Sequence, residues 1–458
     1  LEHTTTIRTE LEQFMAREDL SITQFCEMAD VETETVHAIL GKKMLFSVEQ
    51  LDRVTYGMRL NPGHFYGHYI EEYLVQAAHD WRNIKPFLYR CEELNKLDCI
   101  QQISYLGLNN ATYAPLLFEV AEDFFKHDKH AAAALLYKNI VKREGGRRSE
   151  RLALCQYRLF ILGLGPDKEQ NVEAANRVFT LLDQLDDIDR LDALRELANA
   201  YIQGKFWDLS KDLAQDMDDE ANIQYLLMHQ PNKVNQEPLK KPQRPMFFYM
   251  AYSNYLRANI CEAQGNYKQA LQYTYAYADL SWVKETDEET QYWLNKCKGW
   301  ARSSLFLYKM LTGDVSAILD YVKCIEASQT ELMPGLFKIV RAANQQNIKV
   351  DYFLKKFDTD IAAFIAREKA IVTYTHKITP DLYILFLYEL SHYYLSRGAF
   401  DVGFRYLIDG MEKAFEVNNK SCIIKYIGLY EHSRLFASRE TDAEYRRLMD
   451  GMYLNDDD

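Results

Sequence analysis

The chain has 458 residues, with 54 Lys+Arg against 67 Asp+Glu, a formal net charge of -13, and 48% apolar residues. That acidic balance excludes a protein that coats nucleic acid over its whole surface, and leaves room for one small DNA-reading module. No apolar stretch approaches the roughly 20 residues needed to span a bilayer, so the expectation is a cytoplasmic chain with no exported leader and no membrane partner. Proline (10) and glycine (19) are scarce, which favours long helices and an all-α fold. The eight cysteines include no CxxC pair and sit in apolar helical patterns. Reduced, packed thiols are therefore expected, with no disulfide framework, zinc site or cofactor.

Residues 7–60 read as four or five short helices. The first carries Ile7, Leu11, Phe14 and Met15 at helical spacing. Ser21 can cap a second, with Phe25, Met28 and Ala29 inward, and a tight turn at Asp30-Val31-Glu32 follows. Thr33 to Leu40 forms a third, with Val36, Ile39 and Leu40 inside and Gly41 stopping it. Ser47 starts another, bearing Leu51, Val54 and Met58, and Asn61-Pro62-Gly63 ends the module, giving a domain boundary at 65.

Beyond residue 66 almost everything is amphipathic helix broken by short polar turns. One six-position frame recurs: Ala258, Cys261, Gly265, Tyr267, Ala270, Thr274; and Ser391, Tyr394, Gly398, Phe400, Gly403, Leu407. It fits again at Ala121, Phe124, Asp128, His130, Ala133, Tyr137, and at Ala198, Tyr201, Lys205, Trp207, Ser210, Ala214. Phe306, Lys309, Gly313, Val315, Ile318, Val322 is a looser copy. This is the spacing of a tetratricopeptide unit, in which small residues let two helices approach and aromatics fill the gap to the next pair. The copies are degenerate, so residues 66–458 are expected to form an irregular right-handed α-solenoid. A proline-bearing polar stretch near 230–245 reads as an exposed loop.

The run TETVHAILGKK followed by SVEQLDRV has the layout of a phage-repressor-like helix-turn-helix. With the repeats behind it, the chain resembles the RRNPP group of peptide-sensing transcription regulators, and its C-terminal half is similar to the arbitrium receptors of temperate phages. The resemblance implies a helix-turn-helix domain at 1–65 that binds a double-stranded DNA operator. Thr33, Glu34, Thr35 and His37 would face bases, and Ser21, Thr23, Gln24, Lys42 and Lys43 would hold phosphates. Two departures stand out: Asp30 occupies the usual glycine of the turn, and residues 1–60 hold 6 Lys+Arg against 11 Asp+Glu. Phosphate contacts normally dominate affinity, so either the basic residues cluster on one face or binding is weak without dimerisation and bending.

The same resemblance implies a short signalling peptide in the groove of the repeats. The groove positions are Arg195, Asn199, Tyr252, Tyr255, Asn259, Ser303, Tyr388 and His392, with Ile202, Glu262 and Met310 in the same frame. Asparagine is the informative type, because its amide can clasp one peptide unit of an extended ligand whatever the sequence. The apolar C-terminal helices, with Ile423, Ile424, Ile427, Leu429, Tyr430, Leu435 and Phe436, suggest a homodimer contact. His64/His68 and His127/His130 read as surface histidines rather than metal ligands, and no GxGxxG, Walker A or GxSxG motif suggests an enzyme. The reading is a peptide-controlled DNA-binding regulator; the alternative is a tetratricopeptide adaptor that sequesters a protein partner.

Overall fold

A computed structural model describes residues 6–41, 46–75, 81–107, 113–144, 149–229, 240–327, 329–370 and 380–454. Among them the chain is all helical, with 24 α-helices and no strand. No helix of the described residues is long and apolar enough to cross a membrane. It divides into two compact units, 1–200 and 201–458.

The first unit opens with α1 (Ile7–Arg17), α2 (Ile22–Ala29), α3 (Thr33–Gly41) and α4 (Val48–Gly57). Thr6, Ser21 and Ser47 each accept from the backbone N–H three residues on, while the side chain there bonds the cap's own N–H, so three of these helices begin with a capping box. Asp30 ends α2 in a left-handed conformation (φ 52°). Phe25, Cys26 and Ala29 are the buried face of α2; Met28, expected inside, is 37% exposed, because the helix turns Cys26 inward instead. Val36, Ile39, Leu51, Val54 and Met58 are buried as the periodicity predicts, and Leu40 is half-buried.

A short α5 (Tyr66–Tyr69) runs into a π-helical turn (Ile70–Leu74) and is followed by α6 (Trp81–Glu93), α7 (Leu97–Gly107), α8 (Tyr113–Lys126), α9 (His130–Glu144), α10 (Glu150–Gly163), α11 (Lys168–Phe179) and α12 (Asp187–Gln203). Residue 65 lies inside a continuous apolar core, since Phe65, Tyr66 and Tyr69 are fully buried among side chains that run from Ile7 to Cys155. The hydroxyls of Tyr69 and Tyr73 donate to the carbonyls of Phe46 and Ile39, tying the four-helix module to the segment behind it.

The second unit holds α13 (Trp207–Met228), α14 (Met246–Ala263), α15 (Tyr267–Ala278), α16 (Glu288–Leu311), α17 (Ala317–Glu326), α18 (Gln329–Gln346), α19 (Asp351–Lys356), α20 (Asp358–Ala370), α21 (Pro380–Leu395), α22 (Phe400–Glu416), α23 (Lys420–Ser433) and α24 (Arg439–Leu454). From α13 to α18 each helix packs on the next, and α18 then packs on α21. Of the loop expected at 230–245, residues 230–239 lie outside the described residues; 240–245 are non-helical.

The third position of the recurring frame has one backbone geometry in all five copies. Asp128, Lys205, Gly265, Gly313 and Gly398 are all left-handed, with φ of 59°, 64°, 77°, 107° and 77°. In each, the following N–H closes back on the carbonyl at the frame's second position at 2.8–3.0 Å, as from Asn266 to Cys261. This is a Schellman stop. The same turn occurs at Asn95, Asn347 and Asn418, three copies the sequence frame does not reveal. Small residues mark close helix approach: Ala121, Ala198, Ala258, Ser391, Ala133, Ser210 and Ala270 are fully buried. At α21–α22 the Ser391 hydroxyl donates to the Gly403 carbonyl at 2.9 Å, and a Cβ at Gly403 would lie 2.7 Å from Leu395 Cγ.

All eight cysteines are free, seven of them buried. At the C-terminal end Ile423, Leu429 and Tyr430 are buried, whereas Ile424, Leu435 and Phe436 are exposed, with Phe436 stacked on Phe400 at 4.3 Å.

Candidate functional site

On α3, Thr33, Glu34 and His37 are exposed, with the Thr33 hydroxyl donating to Glu34 at 3.2 Å. Thr35 is not on that face. It is 3% exposed and its hydroxyl accepts from the Gln50 side chain at 2.9 Å, a bond that ties α3 to the capping box of α4. A role for Thr35 in facing bases is therefore corrected to one in orienting the helix. Ser21 and Gln24 are spent on each other in their capping box, and Thr23 is exposed beside them. Lys42 and Lys43 lie outside the described residues. The module's arginines are largely neutralised: Arg8 pairs with Glu12, Arg17 with Glu18, and Arg53 with both Asp30 and Glu49.

In the second unit α14, α16, α17 and α18 enclose a pocket of about 440 Å3 that brings together Tyr255, Asn259 and Ser303. Among the described residues neither the Asn259 amide nor the Ser303 hydroxyl makes a hydrogen bond, so both are open to a ligand. Glu262 is satisfied from within the unit, by Lys338 at 2.9 Å and by the Tyr308 hydroxyl at 3.0 Å. Burial first, and then the Glu262 carboxylate, push the Tyr308 hydroxyl far above its ordinary range, so it stays a neutral donor. Arg302 and Glu331 also line the pocket, and neither has an ion pair among the described residues.

Tyr255 and Trp300 make one wall of the pocket and belong to a larger aromatic cluster. Phe248, Tyr252 and Tyr255 follow one face of α14 at spacings of four and three, stacked at 5.2 and 5.6 Å. Trp300 of α16 meets Tyr255 at 5.2 Å, and Trp293 meets Phe248 at 4.6 Å. The part of this cluster that lines the pocket, Tyr255 and Trp300, can take apolar and peptide-plane contacts. Trp300 and Arg302 were missed in the sequence because the frame on α16 is anchored by Phe306 and Gly313, away from them. The spacing of Trp293, Trp300 and Leu307, seven residues apart each time, is the signal that marks this face.

The other expected groove residues do not line this pocket. Arg195 is 9% exposed in the first unit and pairs with Glu196 at 2.6 Å and Asp192 at 3.9 Å. Its charge is committed within its own helix, which corrects the assignment of Arg195 to a ligand carboxylate. Asn199, also in the first unit, is half-buried. Tyr388 packs edge-on against Tyr426 at 5.5 Å, and His392 is half-buried one turn further along α21. Met310 is fully buried.

A comparison with protein-family models finds no match for this chain. No curated protein matches it either.

Proposed function

We propose that the chain is a DNA-binding transcription regulator of the peptide-sensing type, with a helix-turn-helix in its first unit and a short peptide bound in the pocket of its second. The observation that carries this reading is the open Asn259 amide, set beside Ser303 and the Tyr255–Trp300 wall. A donor and an acceptor on one amide match the two groups of a peptide unit, and the aromatic wall takes a side chain or the peptide plane. The tetratricopeptide-like frame supports it further, through the five left-handed turns and the small buried residues that accompany them. A peptide shifts DNA affinity only by its difference in affinity between two states of the chain, about 1–3 kcal/mol in typical couplings.

The test uses a random synthetic hexapeptide library passed over the immobilised full chain, with retained peptides sequenced. Retention of a defined set, and its loss in Asn259→Ala by about tenfold or more in affinity, is expected from one buried polar pairing. A chain that retains no peptide would defeat this reading. The adaptor alternative is favoured by one observation, the pairing of Arg8, Arg17 and Arg53 with carboxylates on their own module. It would gain if the chain selected no DNA sequence.

A further inference from the structure

A cleft of about 1220 Å3 opens in the first unit between the end of α2, the outer side of α4 with the turn after it, and α6. It plays no part in the reading above. Its apolar surface comes from Met28, Tyr56, Leu60, Pro62, Pro86 and Tyr89. Tyr56 is 80% exposed, an unusual position for a ring on a module this small. The base of the cleft is rigid, because α4 crosses α2 at Gly57, where a Cβ would lie 2.5 Å from Ala29 Cβ.

Three arginines and four carboxylates line the cleft. Arg53 bridges Asp30 and Glu49, and Arg90 bridges Asp52 and Glu93 at 2.7 Å each. Arg59 is different: among the described residues nothing accepts from its guanidinium. It also sits where arginine is ill suited. Its φ is 55°, at the left-handed stop of α4, with its N–H bonded to the Tyr56 carbonyl and the next N–H to that of Thr55. Glycine or asparagine takes this conformation at lower cost. Arg59 is exposed, its donors are unused among the described residues, and it stands beside an exposed apolar surface, so it is available to a ligand.

We propose that this cleft binds a small organic carboxylate with an apolar, aromatic body. The body lies against Tyr56, Pro62 and Pro86, and the carboxylate takes the paired N–H groups of Arg59. The apolar area supplies most of the affinity, as in other ligand clefts. Long-range attraction contributes little, since the lining carries one more carboxylate than arginine.

Calorimetry on the full chain tests this with three probes of one shape: naphthoate, its uncharged methyl ester, and naphthylmethylammonium. The carboxylate should bind about tenfold or more tightly than either counterpart. Arg59→Asn should abolish that preference while the melting temperature of the unliganded chain holds or rises. Tyr56→Ala should weaken all three probes together, and Arg302→Gln, in the other unit, should change none. The proposal is overturned if no probe binds, if the ammonium binds best, or if Arg59→Asn keeps the preference. It is equally overturned if Arg59→Asn lowers the melting temperature, which would give Arg59 to the fold. A change of particle mass in Tyr56→Ala by light scattering would make the cleft a self-association surface instead.

Discussion

Replacing Gly410 with alanine tests how closely α21, α22 and α23 approach. Gly410 is buried on α22, and a Cβ there would overlap the Tyr426 hydroxyl, lie 2.5 Å from its Cζ, and stand 3.1 Å from Leu387 Cβ. Tyr426 cannot swing away freely, because its buried hydroxyl donates to the Ile384 carbonyl at 2.6 Å. Overpacking of this kind costs about 1–3 kcal/mol, and a displaced, unpaired Tyr426 hydroxyl adds about 1. The gain in helix propensity returns about 1, leaving a net loss of about 1–3 kcal/mol. At 1.4 kcal/mol per decade, local opening should rise about fivefold to a hundredfold. A chain of two compact units can open in parts, so hydrogen exchange of peptides from α21–α23 is the right assay rather than one global melt. Tyr426→Phe should recover part of the loss in the double variant, because it removes the overlapping atom. Unchanged exchange in Gly410→Ala, or costs that simply add in the double variant, would refute the packing described.

The left-handed turn at Lys205 gives a second expectation: Lys205→Gly should raise local stability by about 0.5–1 kcal/mol, read as slower hydrogen exchange in peptides from α12 and α13. Alkaline pH should unfold the chain through its buried tyrosines. Burial pushes Tyr73, Tyr89, Tyr201 and Tyr394 up to about 12, from an ordinary value near 10. The unfolded chain therefore releases these protons first, so stability holds below pH 10 and is lost as pH rises to about 12; circular dichroism against pH reads it. On α3, Thr33→Ala with His37→Ala should weaken specific DNA binding without loss of helical signal. Thr35→Ala should instead cost about 1 kcal/mol of stability, by leaving the Gln50 amide unpaired.

The helical character, the caps at Ser21 and Ser47 and the inward faces of α3 and α4 are legible in the sequence because each rests on local spacing. So are the five turns, since each depends on a residue that tolerates φ > 0 or is forced into it. The three asparagine turns escape the frame because their flanking positions are not small-and-aromatic, although asparagine itself is the cue. Thr35 and Arg195 mislead for a different reason. Helical spacing assigns a face, but whether that face meets solvent or a neighbour depends on packing from Gln50 in one case and on Asp192 and Glu196 in the other. The Asn259 pocket shows both sides: α14 supplies residues the frame points to, while Trp300 and Arg302 come from a helix where the frame is loose. The Arg59 cleft is formed by three helices spread from Met28 to Glu93, and no local pattern announces it.

We propose sequence-specific DNA binding by the first unit under control of a peptide in the second. In vitro selection from a randomised duplex pool at low salt, with the intact chain, addresses it most directly. The expected result is enrichment of one two-fold-related sequence, with the enrichment altered by a peptide retained from the hexapeptide library. A pool that stays random through successive rounds, with and without that peptide, would contradict it.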